Sequence, residues 1–298
     1  MAKFKKILLT GINGQVGHAL YPTLHSLGEV VALGRQQLDL SRPDHIREVI
    51  QHYKPDLIIN TAAYTAVDKA ESEPELAYAI NSIAPGIFAE EAAKLNALLV
   101  HYSTDYVFDG TKATPYVETD ETNPLSVYGT SKLAGEKAIQ AADTPHLIFR
   151  TSWVYGAYGK NFLRTILRLA SERPELKIVN DQYGAPTTST ALAETTIAAL
   201  QSWKQQFSGT YHISNSGCTS WHSFAQAIVT HAHKTPGLVL LSPIEHIIGI
   251  STAEYPTPAY RPRNSLLSNH KLAKAFNIEM KSWQDELAET FNQLEIQL

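Results

Sequence analysis

The sequence predicts an α/β protein with a doubly wound parallel sheet and a smaller C-terminal lobe. Short apolar runs alternate with amphipathic segments through the first half of the chain, as in strand–helix repeats. These runs lack an internal apolar–polar alternation, which is typical of parallel strands buried on both faces. A glycine-rich turn between the first strand and the first helix is the third indication. Right-handed connections then place helices on both faces of the sheet.

In the first half of the chain, predicted strands and helices follow one another in strict order. The strands are expected at residues 6–11, 29–33, 55–63, 97–103 and 146–153. The helices are expected at residues 14–28, 43–53, roughly 71–96 and 126–142. Because the carboxyl ends of parallel strands meet at one edge of a sheet, the residues that follow these strands should form a common site.

The second half of the chain has a looser pattern. We expect helices at 161–173, 188–204, near 269–276 and at 282–295, and strands at 176–181 and 209–214. The proline-rich segment 254–265 is typical of an extended loop. Residues 1–153 plus about 188–215 are predicted to form the sheet domain. Residues from about 154–187 plus 216–298 are predicted to form the smaller lobe.

Composition and charge narrow the classes of function. The 298 residues carry a formal net charge of −4 and no basic block, so no nucleic-acid partner is expected. No apolar stretch approaches the roughly 18 residues that span a bilayer, and the N-terminal run "ILL" is too short for a signal-peptide core. The single cysteine, Cys218, excludes an intrachain disulfide. We therefore expect a cytoplasmic protein without membrane partners.

The segment "TGINGQVG" joins the first predicted strand to the first helix and contains Gly11, Gly14 and Gly17. Glycines at this spacing allow a tight turn, a close approach of the backbone to a pyrophosphate, and close packing of helix on sheet. The amides at the helix N-terminus then face the phosphates. A flexible turn is the alternative, but the strand–turn–helix context favours a dinucleotide site. The sheet domain is therefore predicted to bind a dinucleotide.

The residues after the second strand bear on which dinucleotide binds. An NAD site usually has an acidic residue at the end of this strand, where this chain has Gly34 and Arg35. Glu29 lies at the opposite end of the strand. An arginine can pair with a 2′-phosphate, so NADPH is expected, with NADH as the alternative. Asp39 follows in the chain and could reach the adenine or the ribose.

Tyr128 and Lys132 are one helical turn apart, on the same face of the predicted helix 126–142. Tyr128 alone among the 14 tyrosines has a lysine four residues later. A neighbouring ammonium should lower the pKa of a phenol from about 10 and make it a proton donor to a carbonyl. An exposed surface pair is the alternative. Thr104 lies where the fourth strand ends, so its hydroxyl could hold the same carbonyl oxygen.

Taken together, the glycine turn, the hydroxyl at the strand end and Tyr-x-x-x-Lys resemble the extended short-chain dehydrogenases/reductases. Sharper strings resemble one family among them, the dTDP-4-dehydrorhamnose reductases. They run in order from residue 14 to residue 265: "GQVG", "NTAAYTAVDKAESEPE", "HYSTDYVFDG", "VYGTSKLAGEKA", "FRTSWVYG", "NDQYGAPT" and "RPRNS". The resemblance implies a Rossmann sheet, a C-terminal substrate-binding lobe, and reduction of a 4-keto sugar nucleotide by NAD(P)H.

The resemblance also implies roles for individual residues. Thr104, Tyr128 and Lys132 would be catalytic, with Lys132 also holding the nicotinamide ribose. Tyr128, Lys132 and twelve further residues would bind the cofactor: Gly11, Asn13, Gly14, Gln15, Val16, Arg35, Asp39, Leu40, Ala62, Ala63, Tyr64 and Thr65. The sugar pocket would be formed by Val67, Thr104, Asp105, Tyr106 and Trp153. Trp153 could equally be a core aromatic, and Arg261 and Arg263 could either bind the diphosphate or be solvated.

Several alternatives stay open at this stage. Related dehydratases have a carboxylate where this chain has Tyr106, so removal of water is disfavoured. Some relatives are described as magnesium-bridged dimers, but His18 and Ala19 supply no carboxylate at one expected position, which puts Mg²⁺ in doubt. No other metal site is expected, and the chain could be a monomer or a homodimer. A reductase of another 4-keto-6-deoxy sugar nucleotide, or a non-catalytic NADP-binding regulatory subunit, would share these motifs.

Overall fold

The computed structural model describes residues 3–294. The strands are β1 Lys6–Thr10, β2 Glu29–Leu33, β3 Leu57–Asn60, β4 Leu98–Thr104, β5 His146–Thr151, β6 Val154–Tyr155, β7 Leu176–Val179, β8 Tyr183–Gly184, β9 Thr187–Thr188, β10 Gly209–His212, β11 Thr219–Ser220 and β12 Ile247–Ile250. The helices are α1 Gln15–Leu24, α2 Pro43–Tyr53, α3 Val67–Ala70, α4 Pro74–Tyr78, α5 Ala84–Leu95, α6 Val127–Ala141, α7 Phe162–Glu172, α8 Ser189–Ser202, α9 Trp221–Lys234, α10 His270–Phe276 and α11 Trp283–Gln293.

The described residues contain one six-stranded sheet in the order β10-β5-β4-β3-β1-β2. All neighbouring strands in it are parallel. One apolar cluster lies between α1, α8 and one face of the sheet, and a second lies between α2, α5 and the other face. The predicted α/β class with a doubly wound parallel sheet is confirmed. The chain changes direction between β1 and β3, and at such a point the carboxyl ends of the strands open a crevice.

The predicted long helix at roughly 71–96 is confirmed, and it begins a few residues later than expected. Helix α4, a π turn at Ala79–Ile83 and helix α5 follow one another without a break from Pro74 to Leu95. Pro85 has no N–H to donate to the carbonyl of Asn81, so the α-helical hydrogen-bond ladder cannot run through this stretch. The turn brings the buried Asn81 against α6, where its carbonyl oxygen would be 2.1 Å from a Cβ on Gly135.

Most other predicted elements are present with ends that differ by a few residues. The first helix ends at Leu24, four residues early, because the chain turns there towards β2. The third strand ends at Asn60 and the fifth at Thr151, which leaves the following residues free to form loops at the crevice. The last helix ends at Gln293, and its predicted end at residue 295 lies outside the described residues.

The smaller lobe has its own apolar core, formed by α7, α9, α11 and the parallel pair of β7 and β12. Helix α8 and strand β10 belong to the sheet, as the predicted interleaved division requires. Helix α10, which was assigned to the smaller lobe, instead packs Leu272 and Phe276 into the sheet core. The division into two domains otherwise stays a prediction. Within residues 3–294, no helix is long and apolar enough to span a membrane.

Candidate active site

A cavity of about 520 Å³ opens at the carboxyl ends of β1, β3 and β4. Its walls contain every residue predicted to bind the cofactor. They are Gly11, Asn13, Gly14, Gln15, Val16, Arg35, Asp39, Leu40, Ala62, Ala63, Tyr64, Thr65, Tyr128 and Lys132. The positions therefore converge on one site, although they come from four separate segments of the chain. Their individual roles stay predictions.

The glycine turn is shaped for close approach of a ligand. Gly11 has a φ of +72°, and a Cβ on Gly17 would be 2.2 Å from the Gly11 carbonyl oxygen. Both residues must therefore be glycine for the turn and α1 to pack. A Cβ on Gly14 would meet only that same oxygen, at 3.2 Å, so space remains in front of it. Gly14 caps α1 without any side-chain hydrogen bond to the first turn. This cradle fits a pyrophosphate.

Arg35 and Asp39 lie beyond the end of β2, on the adenosine side of the predicted cofactor position. Arg35 is exposed at the cavity wall, where a guanidinium could reach a 2′-phosphate. The Asp39 carboxylate accepts hydrogen bonds from the Ser41 amide at 3.0 Å and the Ser41 hydroxyl at 2.7 Å. These bonds lower the pKa of Asp39 and fix its carboxylate locally.

Tyr128 lines the cavity, and the nearby Thr104 hydroxyl favours the ionised form of the Tyr128 phenol, which lowers its pKa. Ser126 caps α6 and accepts a hydrogen bond from the Gly129 amide at 3.1 Å, so Tyr128 lies in the first helical turn. The Tyr106 ring packs edge-on against the Tyr128 ring, with 5.4 Å between their centroids. A carbonyl oxygen beside Tyr128 would have the phenol as a donor, and the Thr104 hydroxyl, which here donates to Asp105, would have to turn to donate to the same oxygen.

The expectation that Lys132 lowers the pKa of Tyr128 is wrong for this structure. Burial raises the pKa of Tyr128 to about 12; the Thr104 hydroxyl opposes this rise and the Asp105 carboxylate adds to it. Burial also lowers the pKa of Lys132 to about 8. The Lys132 ammonium donates to the Tyr102 carbonyl at 2.6 Å and lies 3.1 Å from His101 Nε2. Sequence spacing gave the shared helix face but not this burial.

Two of the residues predicted to bind the sugar, Asp105 and Tyr106, lie beside this pair. Asp105 is buried next to Thr104, whose hydroxyl donates to its carboxylate at 3.1 Å, and burial raises the pKa of Asp105 to about 6. Trp153 has a φ of +50° and stacks on Trp221 at 3.5 Å between ring centroids. A non-glycine residue in this conformation is strained, which is common where a side chain is held for binding. Val67 begins α3.

A second cavity, of about 460 Å³, is formed by the proline-rich loop and residues 181–182. Arg261 and Arg263 both line it. Arg261 donates to the Asp68 carboxylate at 2.8 Å, which fastens the loop to α3. The Asp68 charge adds to the raised pKa of the Tyr106 phenol and the Arg261 charge opposes it, so both charges lie within electrostatic range of Tyr106.

Sequence reasoning missed several residues of the site. Gly159 and Lys160 line the cavity from a loop of the smaller lobe, and Asn161 in that loop donates to Gln15 at 3.0 Å. Asn81 accepts from the Tyr64 amide at 2.8 Å and donates to Ser131 on α6, so it ties the loop after β3 to α6. The local sequence of the loop at residues 159–161 carries no cofactor motif. No signal in the local sequence marked Asn81 as part of the site.

No group of three or more potential metal-ligating side chains occurs within the described part of the chain. At the position where an acidic residue was considered, the His18 ring stacks on Tyr158 with 3.7 Å between centroids. This imidazole is engaged in a ring contact and brings no carboxylate. The residues present therefore do not fit a carboxylate-bound magnesium ion at this point.

Comparison with known proteins gives the family. A dTDP-4-dehydrorhamnose reductase of Burkholderia thailandensis is 49% identical over 285 residues, which cover 94% of this chain and 95% of that protein. The family model described as the RmlD substrate binding domain matches residues 5–296. The chain belongs to the dTDP-4-dehydrorhamnose reductase (RmlD) family. The family resemblance of the ordered motifs is thereby confirmed.

Two further dTDP-4-dehydrorhamnose reductases extend the comparison. The protein of that name from Escherichia coli is 44% identical over 294 residues, covering 97% of each chain. The crystal structure of a dTDP-4-dehydrorhamnose reductase from Bacillus anthracis in complex with NADP superimposes with a TM-score of 0.90 at 35% identity. The match covers 98% of this chain and 100% of the other. The family therefore extends over the whole described fold, including the smaller lobe.

Proposed function

We propose that this protein reduces the 4-keto group of dTDP-4-dehydro-L-rhamnose to give dTDP-L-rhamnose, with NADPH as the reductant and NADH as the alternative. The observation that carries the proposal is the convergence of Tyr128, Lys132 and the glycine cradle on one cavity, with Thr104 close to Tyr128. Family membership, the names of the relatives and the NADP bound to the Bacillus anthracis protein support it.

In the proposed reaction, bound NADPH supplies the hydride to the keto carbon. Thr104 and Tyr128 hold the keto oxygen by hydrogen bonds, and they stabilise the negative charge that develops on it. Because the pKa of Tyr128 is raised, its phenol is protonated at neutral pH and can donate its proton to that oxygen. The Lys132 ammonium holds the ribose of the cofactor.

We further propose which chain segments hold each part of the ligands. Residues 11–16 hold the pyrophosphate, residues 35–40 the adenosine end, and residues 62–65 the nicotinamide side. The sugar lies among Val67, Asp105, Tyr106 and Trp153. The second cavity takes the nucleotide diphosphate. Arg263 is the better cation for it, because the Arg261 guanidinium already has the Asp68 carboxylate as its partner.

The test is a coupled assay in which dTDP-4-dehydro-L-rhamnose is generated from dTDP-glucose by the upstream enzymes. Oxidation of NADPH and of NADH is followed together with the sugar product. Tyr128→Phe should lower turnover about 10²- to 10⁴-fold because it removes the proton donor. NADPH binding, measured by fluorescence, should change little, and the exposed Tyr21→Phe is the matched control. Turnover retained by Tyr128→Phe contradicts the mechanism.

The same assay distinguishes the proposed function from the two alternative functions that would share these motifs. Wild-type protein that binds NADPH but leaves this ketosugar unreduced would act on a different 4-keto-6-deoxy sugar nucleotide or serve as a regulatory subunit. Purification with a second polypeptide would favour the regulatory reading. A monomeric or homodimeric state and a cytoplasmic location stay predictions, and analytical ultracentrifugation measures the first of them.

A further inference from the structure

Lys132 is buried without a carboxylate partner. It is 1% exposed, and it forms no ion pair within residues 3–294. Glu136 lies one turn further along α6, but its carboxylate accepts three hydrogen bonds from Arg150, at 2.7, 3.0 and 3.2 Å. Ser103 also donates to it. The nearest negative charge is therefore neutralised by another cation, and an ammonium buried in this way needs other stabilising contacts.

Two neutral groups from β4 supply those contacts. The Tyr102 carbonyl oxygen is 2.6 Å from Lys132 Nζ, and the His101 Nε2 atom is 3.1 Å from it. His101 is 1% exposed, and burial together with the Lys132 charge holds its pKa well below the usual range. The imidazole is therefore neutral at physiological pH. A neutral imidazole can accept from an ammonium without adding a second positive charge.

The hydrogen count fixes how the imidazole must be oriented. If Nε2 accepts from Lys132, then the ring proton is on Nδ1 and needs an acceptor. In the structure Asn60 Nδ2 lies 3.1 Å from Nδ1, and Asn60 Oδ1 accepts from the Thr10 hydroxyl at 2.7 Å. This orientation would leave the ring proton on Nε2, facing the Lys132 ammonium. A 180° flip of the Asn60 amide, which exchanges its oxygen and nitrogen, lets Nδ1 donate to the oxygen and Nε2 accept from Lys132, so the flipped amide is the one compatible with the Lys132 contact.

We propose that His101, held by Asn60, is a positioning residue that keeps Lys132 charged and directed into the cofactor cavity. The inference rests on the proposed function, in which Lys132 holds the ribose of the cofactor. An ammonium has three N–H groups, and the two contacts with β4 leave one for the ligand side. A carboxylate in the place of His101 would pair with Lys132 and compete with the ribose for its charge.

The groups that face Lys132 come from several elements and determine its titration. His101 and the Tyr102 carbonyl come from β4, Glu136 and Tyr128 come from α6, and Arg150 on β5 neutralises Glu136. Loss of an acceptor destabilises the charged form of Lys132, so its pKa should fall below the native value of about 8. The loss of function at alkaline pH should then begin at lower pH.

The experiment compares three substitutions of His101. Gln places an amide oxygen near the former Nε2 and can still accept from Lys132. Asn reaches only the former Nδ1, and Leu accepts at neither position. NADPH affinity and kcat are measured from pH 6 to pH 10, with thermal unfolding as the control for folding. His101→Gln should keep the native alkaline midpoint, whereas Asn and Leu should lower it by roughly one to two pH units.

A second variant tests the hydrogen-bonded series of Thr10, Asn60 and His101 by changing Asn60. Asn60→Leu removes the group that fixes the imidazole proton on Nδ1, so the alkaline midpoint should move in the same direction. A parallel loss at every pH in all variants, or equal midpoints for Gln and Asn, would overturn the inference. NADPH binding needs no sugar nucleotide, so this result is independent of the proposed substrate. Wild-type binding without ketosugar turnover would count against the proposed function alone.

Discussion

Replacing Glu136 by Gln tests how strongly the site depends on its buried ion pair. The Glu136 and Arg150 side chains are 1% and 6% exposed. The substitution keeps the size of the side chain but removes the negative charge. It also turns one acceptor into an NH₂ group that faces the guanidinium. Arg150 is then left as a buried cation with incomplete hydrogen bonds, and its Nη1 atom already lacks a partner.

The expected cost follows from this geometry. Breaking a buried pair by removing one partner typically costs about 3–5 kcal/mol, because an uncompensated charge remains. The bidentate contact and the low exposure place Glu136→Gln within that range. A loss of this size is a large part of the roughly 5–15 kcal/mol of a typical domain. At about 2–4 °C per kcal/mol for large domains, the melting temperature should fall by roughly 10 °C.

The assay compares urea and thermal unfolding of Glu136→Gln with those of a matched control. Glu172→Gln on α7 breaks an exposed i,i+4 pair with Arg168, whose side chains are 50% and 57% exposed. This control should change the free energy of unfolding by less than about 0.5 kcal/mol. A double variant with Glu136→Leu and Arg150→Met should recover part of the loss, because no charge is left unpaired. Equal effects of Glu136→Gln and Glu172→Gln would refute the reasoning.

Two other substitutions test the cofactor and substrate sides of the site. Arg35→Ala should weaken NADPH binding about tenfold and leave NADH binding unchanged, since only the 2′-phosphate loses a partner; equal losses would contradict this role. Asp105→Asn should stabilise the protein at pH 7 but not at pH 4. The pKa of Asp105 in the folded protein is raised to about 6. As the pH rises from 4, the carboxyl of the unfolded chain loses its proton at lower pH than the folded one does. The free energy of unfolding of the wild type should therefore fall by about 2–3 kcal/mol between pH 4 and pH 7. Unfolding curves of both proteins at the two pH values measure this, and a pH-independent difference would contradict it.

The local sequence predicts the helices and strands of the fold and the site residues that lie at the strand ends. Apolar runs and the glycine spacing are local, so β1, α1 and the cradle follow from them directly. The helix at 71–96 follows as well, but the π turn inside it does not, because the apolar pattern continues across Pro85 although the α-helical hydrogen-bond ladder cannot. The periodicity of apolar residues shows which face of a helix is apolar, but it does not show that one residue lacks an N–H donor.

Contacts between distant segments explain the other misses. His101 reaches Lys132 only because β4 lies beneath α6, and nothing in the sequence around either residue marks that contact. The pKa of Tyr128 likewise depends on how deeply the surrounding chain buries it. Lys160 reaches the cavity from a loop of the smaller lobe. Such properties depend on tertiary packing, which spacing along one helix cannot supply.

The place of β10 at the edge of the sheet has a consequence for how the chain folds during synthesis. This strand pairs with β5, but α7, α8 and several short strands separate the two in sequence. While residues up to 153 are emerging from the ribosome, the outer edge of β5 has no neighbour, and an open edge invites pairing with other chains. The sheet is complete only after β10 has been made. A nascent chain that stops between the two strands is therefore the species most prone to aggregate.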